Sequence, residues 1–260
     1  MTESNIAVTP DQAVRDIPIE ESAGPVQPSG SDRVVSLDFI RGIAVLGILF
    51  ANITAFGQPY VAYLWPPAIS GGMTAGDQAI WLFQFVLVDG KFRGLFTILF
   101  GAGIYLFMER AWARGKGKGL QARRLFFLLC FGLIHYFLIW RGDILTLYAV
   151  WGLVALLMIG WKAKTQLVVG LIATTLGSLL MAALMAFQFA AAEIPQVRDN
   201  MPPEAREQIE NVEPNTLASA EEEIALYQDG SYGEIVESAV KNDWGQLLSE
   251  LLLVGPVETI

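Results

Sequence analysis

The chain holds a single histidine, His135, inside the apolar run RRLFFLLCFGLIHYFLIWRGDILTLY from Arg123 to Tyr148. Imidazole is the side chain that changes charge nearest neutral pH, which suits it to general-base work or proton relay. A polar group in so apolar a run is costly in hydrocarbon and belongs against protein or a watery cavity. His135 lies about 16 Å along a helix from Arg124 and about 9 Å from Arg141, so it falls toward the end of the run marked by Arg141. A second set of polar residues interrupts the first apolar run. Asp38 and Arg41 are neighbours at i and i+3, and Asn52, eleven residues beyond Arg41, returns to nearly the same helical face. A third set, Asp89, Lys91 and Arg93, sits beside two glycines in VDGKFRG, and a fourth is the tight turn Arg141-Gly142-Asp143. With one histidine and one cysteine, Cys130, no metal site is expected. The blander readings of the same residues are an Asp38–Arg41 ion pair that fixes helix packing and a histidine that donates to a neighbouring backbone carbonyl.

The elements that must position these residues are membrane spans. The 260 residues are 53% hydrophobic and 17% charged, more apolar than soluble domains, with a mean hydropathy of +0.46. The formal charge of -9 is segregated along the chain and says little about binding, and nucleic acid is not an expected partner. The lipid bilayer is the expected surrounding. The fold expected is an all-α, polytopic transmembrane helix bundle with about five complete spans and the start of a sixth, and with its N-terminus in the cytoplasm.

Taken in order, residues 1–33 mix proline, serine, glycine and acids with no apolar period and are expected to be a disordered cytoplasmic tail. The bundle is expected over 34–190. Its first span runs from about Val34 to Phe56. The loop from Gly57 to Gly76 carries Tyr60, Tyr63 and Trp65, a composition suited to a membrane interface. The glycine-flanked break at Val88 to Gly94 predicts a short helix, then a full span from about Phe92 to Met108, with the break beside a polar pocket. The connector from Glu109 to Arg124 holds six basic residues against one acid, which makes it cytoplasmic under the positive-inside rule. The His135 helix then runs outward, Ile144 to Trp161 returns, and about Gln166 to Ala190 crosses again. Residues 191–243 hold thirteen of the 26 acids and three bases, and are expected to be an acidic extracytoplasmic segment. The apolar run from Trp244 begins a further span, 244–260, within which the chain is expected to stop.

Three ordered blocks are more specific than these patterns: LDFIRGIAVLGILFANITAFG, KFRGLFTILFGAG and GLIHYFLIWRGDILTLYAVWGLV. Over about Ser36 to Leu157 they resemble the YeiB-like family of bacterial inner-membrane proteins, whose C-terminal domain of unknown function this chain does not reach. The LDxxRG opening is also similar to the transmembrane acyltransferase superfamily, which includes the acyltransferase-3 and heparan-glucosaminide acetyltransferase types. That likeness implies a multi-pass protein of the bacterial inner membrane that moves an acyl group from cytoplasmic acyl-CoA to an envelope glycan or lipid. Where the acyltransferase-3 pattern places a histidine this chain has Asn52, and the loop after the first span contains none. The catalytic set the resemblance implies is therefore His135 as general base with Arg41 and Asp38, and the binding set is Asn52, Lys91, Arg93, Arg141 and Asp143. The competing expectation is a transporter or permeation protein for a small solute or protons, with His135 as a relay.

Overall fold

The computed structural model describes residues 30–255, and those residues contain helices and turns but no strand. The tail expected over 1–33 lies largely outside them, and its last four residues begin the first helix. The chain divides into two compact units, residues 1–39 and residues 40–260. In the first, the described residues are helical. The rest of this description concerns the second.

The helices are α1 (Gly30–Gly57), α2 (Ala75–Phe83), α3 (Lys91–Ala113), α4 (Gly119–Leu138), α5 (Leu145–Met158) and α6 (Ala163–Glu193), followed by the shorter α7 (Pro195–Asp199), α8 (Pro203–Glu210), α9 (Val212–Asp229), α10 (Tyr232–Asn242) and α11 (Trp244–Ser249). Two 3-10 turns, Tyr60–Tyr63 and Pro66–Ala68, shape the loop after α1, where the prolines cannot continue a helix.

Four segments among the described residues are long and apolar enough to cross a membrane: Val35–Gly57, Ala75–Ala113, Gly119–Leu138 and Ala163–Glu193. These mark a membrane protein. The fourth expected span, Ile144 to Trp161, is shorter than the sequence pattern implies. Helix α5 has 14 residues, about 21 Å at 1.5 Å per residue, against about 30 Å of hydrocarbon. Ile144 stays outside the helix, and α5 ends at Met158, short of the expected Trp161.

The break expected at Val88 to Gly94 is present. Helix α2 widens into a π-helical turn at Gln84–Val88, Gly90 takes φ +74°, and α3 starts at Lys91. A side chain would be strained at that φ. The carbonyl of Val86 accepts a hydrogen bond from the Lys91 ammonium, and Gln84 donates from its buried amide to the Ala51 carbonyl at 2.6 Å, tying this segment to α1.

Helices α4 and α5 form the tightest pair. A Cβ on Gly132 would lie 2.5 Å from the Thr146 nitrogen and 2.9 Å from its Cα, so only glycine allows this approach. Ile104 and Met108 of α3, Leu125 of α4 and Leu156 of α5 close the core at the end nearest the basic connector. At the opposite end of α4, Tyr136 and Phe137 pack on Leu247 of α11. Helix α6 buries only Ala191 and is apolar over its length, as a span bathed in lipid would be.

The acidic stretch 191–243 folds into α7 to α10. Pro195 and Pro203 start α7 and α8, where the missing N–H is no loss. Ser231 and Glu234 form a reciprocal capping box at α10. Ala220 of α9 packs on Ala62 and Ala68, so this stretch is seated on the loop that follows α1.

Candidate functional site

The α4–α5 turn brings the histidine and an acid together. Nδ1 of His135 lies 3.1 Å from Oδ1 of Asp143, whose side chain is fully buried. The distance is that of an ion pair, yet the two atoms are not aligned for a directed hydrogen bond. The other carboxylate oxygen, Oδ2, accepts the backbone N–H of Thr146 at 2.7 Å. Asp143 thereby satisfies one of the N–H groups left open at the start of α5.

Asp143 also forms part of the wall of a cavity of about 560 Å³. The cavity is assembled from distant parts of the chain. Asn52 comes from α1, Tyr60 and Tyr63 from the first 3-10 turn, Arg93 from α3, Trp140 and Asp143 from the α4–α5 turn, and Gln246 and Glu250 from the last helical segment. The Asp143 side chain is fully buried, so it borders the cavity through its main chain, and His135 is not a wall residue.

Arg93 is held on the wall by Asp89. Its Nη2 lies 2.9 Å from Oδ1, which also accepts from the Tyr63 hydroxyl at 2.5 Å. The expected pocket beside the helix break is thus real, with Asp89 as its anchor. On the facing wall, the Tyr60 hydroxyl donates to Glu250 Oε1 at 3.2 Å, and the Gln246 amide donates to the same oxygen at 2.9 Å. Burial, and then the neighbouring Glu250 charge, raises the Tyr60 phenol above its ordinary range, so that hydroxyl stays a proton donor.

Arg141 belongs to a separate cluster on the acidic helices. Its guanidinium pairs with Glu223 of α9, lies 3.7 Å from Asp243 and stacks 5.1 Å above the Tyr60 ring. The Glu223 carboxylate also accepts the Tyr60 backbone N–H, at 3.1 and 3.3 Å. Two further recesses, of about 620 and 810 Å³, adjoin this cluster, and Tyr60 lines both as well as the first cavity. Burial raises the pKa of Asp243, an effect that Arg141 partly offsets.

The remaining expected residues lie elsewhere. Lys91 is engaged with Val86 within the helix break and lines none of the cavities described above. Arg41 reaches α3 at Gly103, where a Cβ would stand 3.7 Å from its Nη2. Gly103 is ten residues beyond Arg93, about 15 Å along the helix, so Arg41 does not share the cavity. Asp38 lies on α1 in the first compact unit. The catalytic grouping of His135 with Arg41 is therefore not assembled. In its place stand His135 and Asp143, backed by Asn52 and Arg93 across the cavity.

Asp89, Tyr60, Tyr63, Gln246 and Glu250 were outside the expected site. Glu250 left a signal: it is the one acid between Trp244 and Val254 in an otherwise apolar run, and an ionisable residue in such a run is a functional candidate by default.

Comparison with known proteins fits this sequence region. The chain is 44% identical over 123 residues to an uncharacterized protein, YeiB, of Escherichia coli (strain K12), covering 47% of this chain and 30% of that protein. It is 42% identical over 150 residues to an uncharacterized protein, YxaH, of Bacillus subtilis (strain 168), covering 53% of this chain and 35% of YxaH. An uncharacterized 39.9 kDa protein encoded in the amylase 3' region of Bacillus acidopullulyticus is 37% identical over 142 residues, covering 54% of this chain and 38% of that one. These matches support a YeiB-like relationship. The chain spans about a third of the length of these YeiB-like relatives, and none of their names assigns an activity. No family model and no solved structure matches the chain.

Proposed function

We propose that this chain forms the acceptor side of a transmembrane acyl-transfer site in a multi-pass protein of the bacterial inner membrane. The N-terminus and the basic connector from Glu109 to Arg124 face the cytoplasm, and the acidic helices 191–243 face outward. The charge segregation supports this orientation. The observation that carries the reading is the His135–Asp143 pair, an imidazole 3.1 Å from a buried carboxylate next to the cavity.

In the reaction, the acceptor's hydroxyl or amine gives its proton to Nε2 of the partly exposed His135, and the buried Asp143 carboxylate beside Nδ1 steadies the imidazolium. The freed oxygen or nitrogen attacks the carbonyl of an acyl-CoA thioester, the C–S bond breaks, and the leaving thiolate takes the proton back from the imidazolium. Asn52 offers an amide N–H donor to the oxygen that turns negative in between. The order of partners is that of the usual triad, with the partly exposed imidazole toward the substrate and the buried carboxylate behind it. Arg41, far from the cavity along α3, is left the task of meeting the donor's phosphates on the cytoplasmic side. The LDxxRG likeness to acyltransferases supports that assignment.

The test is transfer from labelled acyl-CoA to an envelope extract by the full-length protein. Asp143→Asn and His135→Ala are each expected to lower the rate at least a hundredfold, as loss of a positioned general base does. Equal labelling by wild type and both variants would sink the proposal. A second reading, transport of a small solute or protons, draws on the π-helical break beside Arg93 and Asp89, a feature typical of paths through membranes. Flux into proteoliposomes without a covalent product would decide for it.

A further inference from the structure

Tyr60 stands where three hollows meet. It lines the cavity of about 560 Å³ and the two recesses, of about 620 and 810 Å³, beside the acidic helices. Gln246 and Val61 are likewise walls of both the cavity and the larger recess. The Tyr60 side chain reaches from one to the other. Arg141, a wall residue of both recesses, lies 5.1 Å from the centre of its ring, and the hydroxyl at its far end donates at 3.2 Å to Oε1 of Glu250, a wall residue of the cavity. The Gln246 amide donates to the same oxygen at 2.9 Å. One carboxylate oxygen therefore holds both polar side chains of the partition.

The main chain of Tyr60 is fixed separately. Its N–H donates to Glu223 at 3.1 Å, and residues 60–63 form a 3-10 turn. The ring can thus turn about its own side-chain bonds without moving the loop. Within the cavity lie Asn52, Arg93 and Glu250, and a polar solute reaching them through hydrocarbon would have to shed its hydration. The larger recess offers a hydrophilic approach instead, lined by Asn215, Thr216, Ser219 and Asn242.

We propose that Tyr60 and Gln246 form a gate between the larger recess and the cavity, held shut by Oε1 of Glu250, through which a small polar solute passes when the two side chains let go. In the orientation given above, the recess is the outer end of this path. The inference goes beyond the acyl-transfer reading and does not rest on it, since a gated entry serves transfer and transport alike.

Thiol labelling tests the gate with no reaction under way. In the purified Cys130→Ser chain in detergent, Asn52→Cys puts a thiol on the cavity wall and Ser219→Cys one on the recess wall. The probe is a trimethylammonium methanethiosulfonate, whose fixed charge keeps it out of the apolar detergent layer. That charge also suits a recess lined by Glu222, Glu223 and Asp243. Asn52→Cys is expected to react slowly. Combined with Tyr60→Phe or Glu250→Ala it should react at least about tenfold faster, the change that loss of one partly buried hydrogen bond allows. Glu250→Gln, whose carboxamide oxygen still accepts both donors, should leave the rate near its starting value. Ser219→Cys should react alike in every background. Reaction of Asn52→Cys as fast as Ser219→Cys with Tyr60, Gln246 and Glu250 intact would overturn the inference, as would rates unmoved by Tyr60→Phe and Glu250→Ala. Should Glu250→Ala fail to fold, Tyr60→Phe decides alone. Because no acyl-CoA is present, loss of the gate would leave the transfer reaction standing, and absence of acyl transfer would leave the gate.

Discussion

His135 and Asp143, eight residues apart on either side of the α4–α5 turn, meet at 3.1 Å, with the carboxylate fully buried and the imidazole partly exposed. Sequence spacing places the two near one another but does not say which faces inward. Their geometry depends on how closely α4 and α5 approach.

That approach gives the first prediction. Gly132→Ala would push a methyl group to within 2.5 Å of the Thr146 backbone nitrogen. Backbone atoms at a helix start cannot move aside cheaply, and overpacking of this kind costs about 1–3 kcal/mol. The variant should melt several degrees lower in detergent, while Gly101→Ala, whose Cβ meets nothing within 4 Å, should melt like wild type. Identical melting of the two variants would refute the close-packing account.

Glu223 supplies the second. It joins α9 to the loop after α1 by accepting the Tyr60 N–H and pairing with Arg141. Removing an acceptor from partly buried, charge-assisted bonds costs about 1–3 kcal/mol. Glu223→Ala should therefore speed proteolysis within residues 191–243 well before the rest of the chain is cut. Arg141→Ala should do the same, and the double variant should add little, since both act on one contact. Additive rates in the double variant would argue against a shared latch.

Asp243 yields a pH dependence. Its folded pKa is raised, chiefly by burial, so the fold prefers the protonated form. Stability from this group is present below the unfolded value of about 3.9 and is lost as pH rises through the folded one. At pH 7 the ionised carboxylate weakens the fold, and Asp243→Asn should raise the melting temperature there. The advantage should fade below about pH 4. A variant less stable than wild type at pH 7 would show that the Arg141 contact at 3.7 Å outweighs burial.

Orientation is open to direct labelling. In a Cys130→Ser background, a cysteine at Lys116 should react with a membrane-impermeant maleimide only after the cells are opened, and one at Ser219 should react in intact cells. The opposite pattern would invert the proposed topology.

Much of the frame was legible in the residues themselves. Long apolar runs specify α1, α3, α4 and α6 because hydrocarbon demands that the backbone bond to itself within each segment, a purely local requirement. The helix break at Asp89-Gly90 and the turn at Arg141-Gly142-Asp143 were likewise readable, since glycine and charge punctuate an apolar pattern wherever they fall. Asn52, Arg93 and Asp143 were recognisable as polar groups in apolar surroundings for the same reason.

What the residues could not decide was which of these groups meet. Tyr60 finds Glu223 across 163 residues and Glu250 across 190, contacts that no periodicity encodes. Arg41 looked like a partner for His135, yet its helix carries it to Gly103, about 15 Å along α3 from the cavity wall. Helical period fixes the face a residue occupies, whereas the depth at which two helices pack is set by small residues such as Gly132 at their contact. Sequence alone determined that this chain is helical, apolar and carries ionisable groups in its membrane segments. The tertiary structure decided that Asn52, Arg93 and Glu250, and not His135, line the space where a ligand would sit, because that choice depends on how distant segments close around one cavity.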